Sequence, residues 1–445
     1  MSSSSFKTAP VDQESAETLA RNGLRLALVD TEDQESFSAW RRVESRGFHM
    51  AEQSDETVQA DREGVGYRRI SGVWDDAAGD RSQDGTAPVG TAASWPNQLT
   101  VPGERTVESW AISDVTVAPT HRRKGIARAL LEAELRTAHA LGVPMAMLTV
   151  SESTIYGRFG FAPAVMSTDW KIDSHRAKWA GHATSGSVRF VPLEEMVEQA
   201  GELFERTRLS SPGEIVVWDA RWKQLFGQQG DDKDKAKNLR AVRFDDADGT
   251  PQGFVLYSVK GGDGDFAEHT LDVSYLSAAT DEAYAALWRY VLEVDLVKEV
   301  RAGLRSVDEP LLWQLSDVRG VKTEWRDHLW LRVLDVQAAL EARRFSAPGQ
   351  FVLEVSDPLG FADGRFLLDV DSDGAGSVTT FDGPIPDDAA AVSLSVNDLG
   401  GIYLGGVTAV SLTRAGRIRE LSPGSSERVD ATFRSARAPW LSVWF

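Results

Sequence analysis

The sequence predicts an α+β protein of about three domains, and three features carry that expectation. A strand-like run from about residue 106 to Val117 gives way to a basic loop and then a helical pattern, in VTVAPTHRRKGIAR over residues 115–128. The order strand, strand, helix recurs between residues 238 and 293. Towards the C-terminus apolar residues alternate, as at Phe351, Leu353 and Val355, the period of a half-buried strand.

In chain order, residues 1–22 are polar and serine-rich, the composition of a disordered tail. A first domain is expected over residues 23–180. Residues 24–29 read as a strand, and Thr31 followed by Glu32, Asp33 and Gln34 opens a helix with acids in its first turn. Phe37, Trp40 and Val43 mark the apolar face of that helix. Residues 67–74 and 88–95 read as strands joined by the polar turn DDAAGDRSQDGTAP. Ile126, Leu130, Leu131, Leu135 and Ala138 repeat at helical spacing until Gly142 and Pro144 stop them. A polar linker spans about 173–186, and a second domain is expected over 187–334. It contains a strand and helix over 190–203, a hairpin of 238–244 with 252–259, a strand over 271–276 and a helix over 282–293. The last domain, 335–445, opens with a helix over 336–344. Strands follow over 349–355, 364–370, 376–381 and 391–395, leading into 397–404 and 407–412.

Composition narrows the function. The chain has 445 residues, a net charge of −19, 42% hydrophobic and 26% charged residues, the balance of a globular protein. Nucleic acid is a poor partner for so acidic a chain, whereas a polycationic amine is attracted by it. No apolar run is long enough for a membrane span. The N-terminus has no apolar core of a secretory signal and cysteine is absent. We therefore expect a cytoplasmic protein, or one exported without a recognisable signal. Asp369–Val370–Asp371–Ser372–Asp373–Gly374 opens like a calcium loop, but its twelfth position is Thr380 rather than Glu, so it reads as a turn. Neither HExxH nor a GK[ST] loop occurs, and no metal is expected.

The stretch at 115–128 has its own chemistry. The first N–H groups of a helix lack internal partners and sit at the positive end of its dipole. Gly125 lets an oxygen approach the backbone, and Arg122, Arg123 and Lys124 add full charges. That combination suits a pyrophosphate; it equally describes a basic surface loop ahead of a helix.

The pattern V-x-P-x-x-R-R-x-G-x-[AG] after a strand resembles the acetyl-CoA loop of the GNAT acyltransferases. At the expected distance, Leu148–Thr149–Val150–Ser151–Glu152 and then Ile155–Tyr156–Gly157–Arg158–Phe159–Gly160–Phe161 resemble the next strand and the "YxxxGF" element of that superfamily. SESTIYGRFGF, with a chain ending in an aromatic residue, resembles the Eis (enhanced intracellular survival) family of multi-site aminoglycoside N-acetyltransferases. The resemblance is specific over 106–165 and at the C-terminus, and covers the rest in architecture only. It implies tandem GNAT folds, the first active and the second degenerate, followed by a sterol-carrier-protein-like domain.

The resemblance also implies roles. Val115, Thr116 and Val117 would offer backbone groups to pantetheine, in the manner of an added strand. Arg122, Arg123, Lys124, Gly125, Ile126, Ala127 and Arg128 would surround the pyrophosphate, and Ser151 and Glu152 would lie beside the pantetheine. Tyr156 would be the general acid for the leaving thiolate; by itself it reads as a buried tyrosine bonded to a backbone group. The terminal segment APWLSVWF is too apolar to stay in water. Its carboxylate, on Phe445, would be the general base; by itself the tail reads as core. Asp114, just before the strand end, is a further group expected to face the amine, although the family often has an apolar residue near there. The lining of the amine pocket has no motif, and residues 37–48 are where it is expected. In the second copy, Leu276–Ser277–Ala278–Ala279–Thr280–Asp281–Glu282 stands in place of the basic loop, so that copy has lost CoA binding. The cosubstrate is acetyl-CoA and the assembly a homohexamer. Peptide-lysine acetylation and a lipid- or sterol-binding module are the alternative functions.

Overall fold

Capping side chains and apolar spacing set most element boundaries in the computed structural model, which describes residues 6–77, 87–229, 236–262 and 265–445. The first elements are α1 (Gln13–Ala20), β1 (Leu24–Leu28), α2 (Gln34–Gly47), α3 (Asp55–Val65), β2 (Arg69–Asp75), β3 (Gly90–Val101), β4 (Arg105–Val117), α4 (Ile126–Ala140), β5 (Met145–Thr149) and the single turn α5 (Ser153–Tyr156). Next come β6 (Ala162–Asp173), β7 (Ser187–Val191), α6 (Leu193–Arg208), α7 (Asp219–Leu225), β8 (Leu239–Asp245), β9 (Pro251–Gly261), β10 (His269–Ala278), α8 (Asp281–Leu292), β11 (Val297–Arg305) and β12 (Val321–Val333). The last are α9 (Val336–Ala342), β13 (Gly349–Ser356), β14 (Gly364–Val370), β15 (Gly376–Thr380), β16 (Ala390–Ser395), α10 (Val396–Ile402), α11 (Ala409–Arg414), β17 (Arg419–Glu420) and α12 (Ser425–Phe433). Most of the polar turn expected between the second and third strands lies outside the described residues.

The chain packs as two compact units, one of residues 1–164, 329–434 and 445, the other of 165–328 and 435–444. The first and third expected domains thus share a unit. In it the strand order is β1-β2-β3-β4-β5, followed by the end of β12. All neighbours are antiparallel except β4 and β5. Leu19 of α1 and Ile126, Ala129 and Leu130 of α4 pack with Leu24, Val73 and Ala92. Phe37 and Trp40 of α2 pack with Val58, Ile70 and Ala93. The sterol-carrier-like part is a five-stranded sheet in the order β15-β14-β13-β16-β17. The calcium-like sequence is a turn before β15, in which the Asp371 carboxylate accepts from the Asp373 and Ala375 N–H groups at 2.9 and 2.8 Å.

Helix α7 and strands β11 and β12 had no counterpart in the sequence reading, and two helices of the first unit also depart from it. The tail expected to be disordered over 1–22 is helical at α1. Asp12 caps it, accepting from the Ser15 N–H at 2.8 Å, and the Arg136 guanidinium donates to Asp12 at 2.9 Å. The edge of Phe6 lies against Trp110, with centroids 6.0 Å apart. Helix α3 was not expected either; Ser54 caps it, accepting from the Thr57 N–H at 3.2 Å. Both helices bury few apolar residues, so periodicity gave little sign of them.

The second unit runs β6-β11-β10-β9-β8-β7, with β10 and β11 its parallel pair. Trp170 and Trp288 stack in its core at 6.4 Å. Residues 435–444 are tucked into this unit, as the apolar tail requires. Leu441 and Val443 are buried. The Trp440 N–H donates to the Pro212 carbonyl at 2.8 Å, and the Ser442 N–H donates to Glu214 at 3.1 Å.

Glu134 of α4 ties the first unit's interior together. Buried to 2% exposure, it accepts from Ser94 Oγ at 2.5 Å and Trp110 Nε1 at 3.2 Å. It also lies 3.7 Å from Arg69 Nε, and Arg69 in turn donates to the Ala9 and Pro10 carbonyls. Removing one partner of a buried ion pair strands the other's charge. Glu134→Ala should therefore cost roughly 3 kcal/mol of stability, read as a lower denaturant midpoint. A loss below about 1 kcal/mol would show that Arg69 does not depend on Glu134.

Candidate active site

A bulge in β4 creates the site. Thr91 pairs with Thr116 and Ala93 with Ser113, so β4 carries an extra residue here. Asp114 takes a positive φ of 57°, and the Thr91 hydroxyl donates to the Asp114 carbonyl at 2.7 Å. On its other side β4 pairs with β5 only from Ser109 to Ala111, against Met145 to Met147. Beyond that the parallel strands part. Helix α2 ends close to the same place, because a Cβ on Gly47 would meet Thr116 Cβ at 2.6 Å.

The basic loop follows. Pro119–His121 form a 3₁₀ turn, and His121 Nε2 lies 2.9 Å from Asp75 Oδ2. That contact holds the Asp75 carboxyl below its usual range. Arg123 has φ 65° and Gly125 φ 81°. A Cβ at Gly125 would meet nothing within 4 Å. The residue is therefore favoured by its left-handed backbone, and the space beside it is open. Helix α4 then begins at Ile126 with its first N–H groups free of helical bonds.

A groove of about 640 Å³ lies where β4, the loop and α5 meet. Eleven of the twelve residues expected at the donor site line it: Val115, Thr116, Val117, Arg122, Arg123 and Gly125, with Ile126, Ala127, Arg128, Ser151 and Glu152. Lys124 does not; its ammonium turns to Asp75, at 3.7 Å. Tyr156 lines the groove and is 8% exposed. Burial, and then the Glu152 charge, push its phenol above the usual value. Its ring meets the edge of Phe161 at 6.4 Å. Arg46, His49 and Arg158 also line the groove. None was named as a site residue from sequence; Arg158 lay within the matched motif and Arg46 within the 37–48 stretch expected to line the amine pocket.

Phe445 lies beside β5 rather than in the lining of that groove. The Thr149 hydroxyl donates to a Phe445 oxygen at 2.6 Å, two residues before Ser151. The Phe445 and Trp95 rings meet edge to face at 5.7 Å, and the Arg68 guanidinium lies over the Trp95 ring at 3.7 Å. Asp114 lies 3.7 Å from Arg68. Burial, and then repulsion from Asp114, raise the Glu44 carboxyl to about 7, with Arg41 opposing. Glu44 carried no sequence signal, being one acid within a helical run. A second cavity of about 640 Å³ is lined by Ala39, Arg42, Val43, Ser45 and Arg46, among others. It includes part of the 37–48 stretch, although Phe37 and Trp40 are core.

In the second unit the matching loop opposes an anion. Thr280 caps α8 with its own hydroxyl, accepting from the Ala283 N–H at 3.1 Å, and Asp281 and Glu282 fill the first turn. The cleft here, about 610 Å³, holds the Glu214 carboxyl raised to about 8 by burial.

Comparison with known proteins agrees with this layout. Acetyltransferase (GNAT) domain models match residues 29–164 and 213–333, and a sterol carrier protein domain model matches 336–442. An uncharacterized N-acetyltransferase of Streptomyces avermitilis is 35% identical over 416 residues, covering 91% of this chain and 96% of that one. The N-acetyltransferase Eis of Mycobacterium tuberculosis is 36% identical over 371 residues, covering 79% and 86%. The crystal structure of Eis1 from Mycobacterium abscessus superposes with a TM-score of 0.77 at 28% identity, covering 95% of this chain and 100% of that one. With its two GNAT domains and sterol-carrier domain in this order, the chain belongs to the Eis family of N-acetyltransferases.

Proposed function

We propose that the enzyme transfers the acetyl group of acetyl-CoA to amines of polycationic acceptors such as aminoglycosides, at several positions of one acceptor. The observation that carries the donor half is the groove at α4. There a helix N-terminus behind a left-handed glycine meets Arg122, Arg123 and Arg128, a setting suited to a pyrophosphate. The exposed edge of Val115–Val117 takes the pantetheine amides, with Ser151 and Glu152 beside it. The acceptor half rests on the net charge of −19, which draws in cations. Assembly as a homohexamer belongs to the same reading and is tested by sedimentation.

In this reading the acceptor amine loses its proton to the Phe445 carboxylate and attacks the thioester carbonyl. The bond to sulfur breaks, and the thiolate takes a proton from the Tyr156 hydroxyl. The Phe445 carboxyl releases its proton to solvent and the phenolate regains one from solvent, so amine and thioester have become amide and thiol with both groups restored. Two features support these roles: the raised, still protonated phenol of Tyr156, and the Phe445 oxygen fixed by Thr149. Acetylation of peptide lysines uses the same steps, and an aminoglycoside and a lysine peptide assayed side by side separate the two. Faster turnover of the peptide would overturn the aminoglycoside reading.

Arg123→Ala with Gly125→Ala should weaken acetyl-CoA binding roughly 10- to 100-fold, measured by calorimetry; unchanged affinity would remove the donor site from this loop. Tyr156→Phe should lower kcat roughly 100-fold or more while acetyl-CoA still binds. Because the phenol is raised, the alkaline loss of wild-type kcat should fall above a pH of about 10; an earlier loss assigned to Tyr156 would contradict the role. A short Gly-Ser extension beyond Phe445 moves the carboxylate away and should cut turnover with donor binding intact. Normal acetylation by the extended chain would rule out the terminal base.

A further inference from the structure

The turn that carries Tyr156 is too short to hold itself. Helix α5 has four residues and passes directly into a 3₁₀ turn, Gly157–Phe159. Within the turn the Gly160 N–H donates to the Gly157 carbonyl at 3.2 Å. Three carbonyls of the turn and the residues just after it also accept from side chains distant in sequence. Asn397 Nδ2 donates to the Gly157 carbonyl and to the Phe161 carbonyl, each at 2.7 Å. Arg332 Nε donates to the Phe159 carbonyl at 2.9 Å.

Both donors are themselves fixed. Asn397 lies in the first turn of α10, which is closed by a reciprocal cap between Ser395 and Asp398. A Cβ on Gly400 would meet the Leu331 carbonyl at 2.7 Å, so the glycine permits α10 to lie this close to β12. Arg332 is fully buried. Its Nη2 contacts both oxygens of Asp357, at 2.8 and 2.7 Å. Asp357 also accepts from the Leu359 and Ala362 N–H groups. Gly160 completes the fit, since its φ is 88° and a Cβ there would come within 2.4 Å of Arg332 Nε. Asn397 and Asp357 both belong to the sterol-carrier-like domain.

We infer that Asn397 and Arg332 are positioning residues for the acid: the sterol-carrier-like domain moulds the Tyr156 turn through the carbonyls of Gly157, Phe159 and Phe161. The single amide of Asn397 bridges the residue after Tyr156 and the aromatic residue packed on its ring, setting the ring's direction. Proton transfer to a thiolate demands this accuracy, because a misplacement of about 1 Å costs on the order of 100-fold in rate. The domain then serves catalysis through this turn as well as through its terminal carboxylate, and the inference rests on Tyr156 being the acid.

The test is a double-mutant cycle on the full-length enzyme, using the better acceptor of the two compared above. Asn397→Asp keeps the shape but replaces the shared N–H donor with a carboxylate. It should lower kcat roughly 10- to 100-fold, with KM for acetyl-CoA changed less than about twofold. In a Tyr156→Phe background the same change should add less than about twofold. Unaltered kcat in Asn397→Asp, or an equal fall in both backgrounds, overturns the inference. Full activity of Tyr156→Phe alone instead overturns the acid assignment, a separate failure. If Asn397→Asp does not fold, Asn397→Ser is put through the same cycle with the same criteria.

Discussion

The parting of β4 from β5 is the constraint on which the first unit's site depends. Parallel strands that stay paired leave no room between them, and these pair for only three residues before the bulge at Asp114 intervenes. The freed backbone of Val115–Val117 borders the groove, and β4 leads straight into the loop before α4. Where β5 ends, Thr149 meets Phe445, and the tyrosine turn begins at Ser153 after Glu152. One backbone irregularity thus places the groove, the basic loop and the phenol around one opening.

The second unit shows what the geometry does without the charge. Strands β10 and β11 are again parallel, from His269 to Val273, and again β10 shifts register near its end, between Val273 and Tyr275. Yet its helix begins under Thr280 and two acids rather than after a glycine and arginines. A helix N-terminus capped by its own hydroxyl and flanked by two acids is a poorer seat for a phosphate. Fold and chemistry have separated within one chain, as they do between proteins that share a fold.

Much was legible in advance because it is local. The period of Ile126, Leu130 and Leu131 and the stop at Gly142 marked α4 closely. The alternation at Phe351, Leu353 and Val355 marked β13. Gly125 was singled out for the approach of a ligand oxygen; the structure adds a second reason, its left-handed φ, and leaves open space around it. The polar helices α1 and α3 were missed because tertiary contacts such as Arg136 with Asp12, rather than an apolar stripe, hold them.

The sequence by itself determined the strand–loop–helix order around residues 106–140, the repeat of the acetyltransferase fold and the motif that gathers eleven of the residues expected at the donor site, because these depend on neighbours a few positions apart. Tertiary structure alone decided which cations face the groove. Lys124 looks equivalent to Arg123 in the chain, yet turns to Asp75, which β2 brings within 3.7 Å. It alone revealed the bulge at Asp114 and the grip of Asn397 on the tyrosine turn across 240 residues. The physical reason is that a lone pair is claimed by whichever donor packing brings within about 3 Å, and no local pattern records that choice.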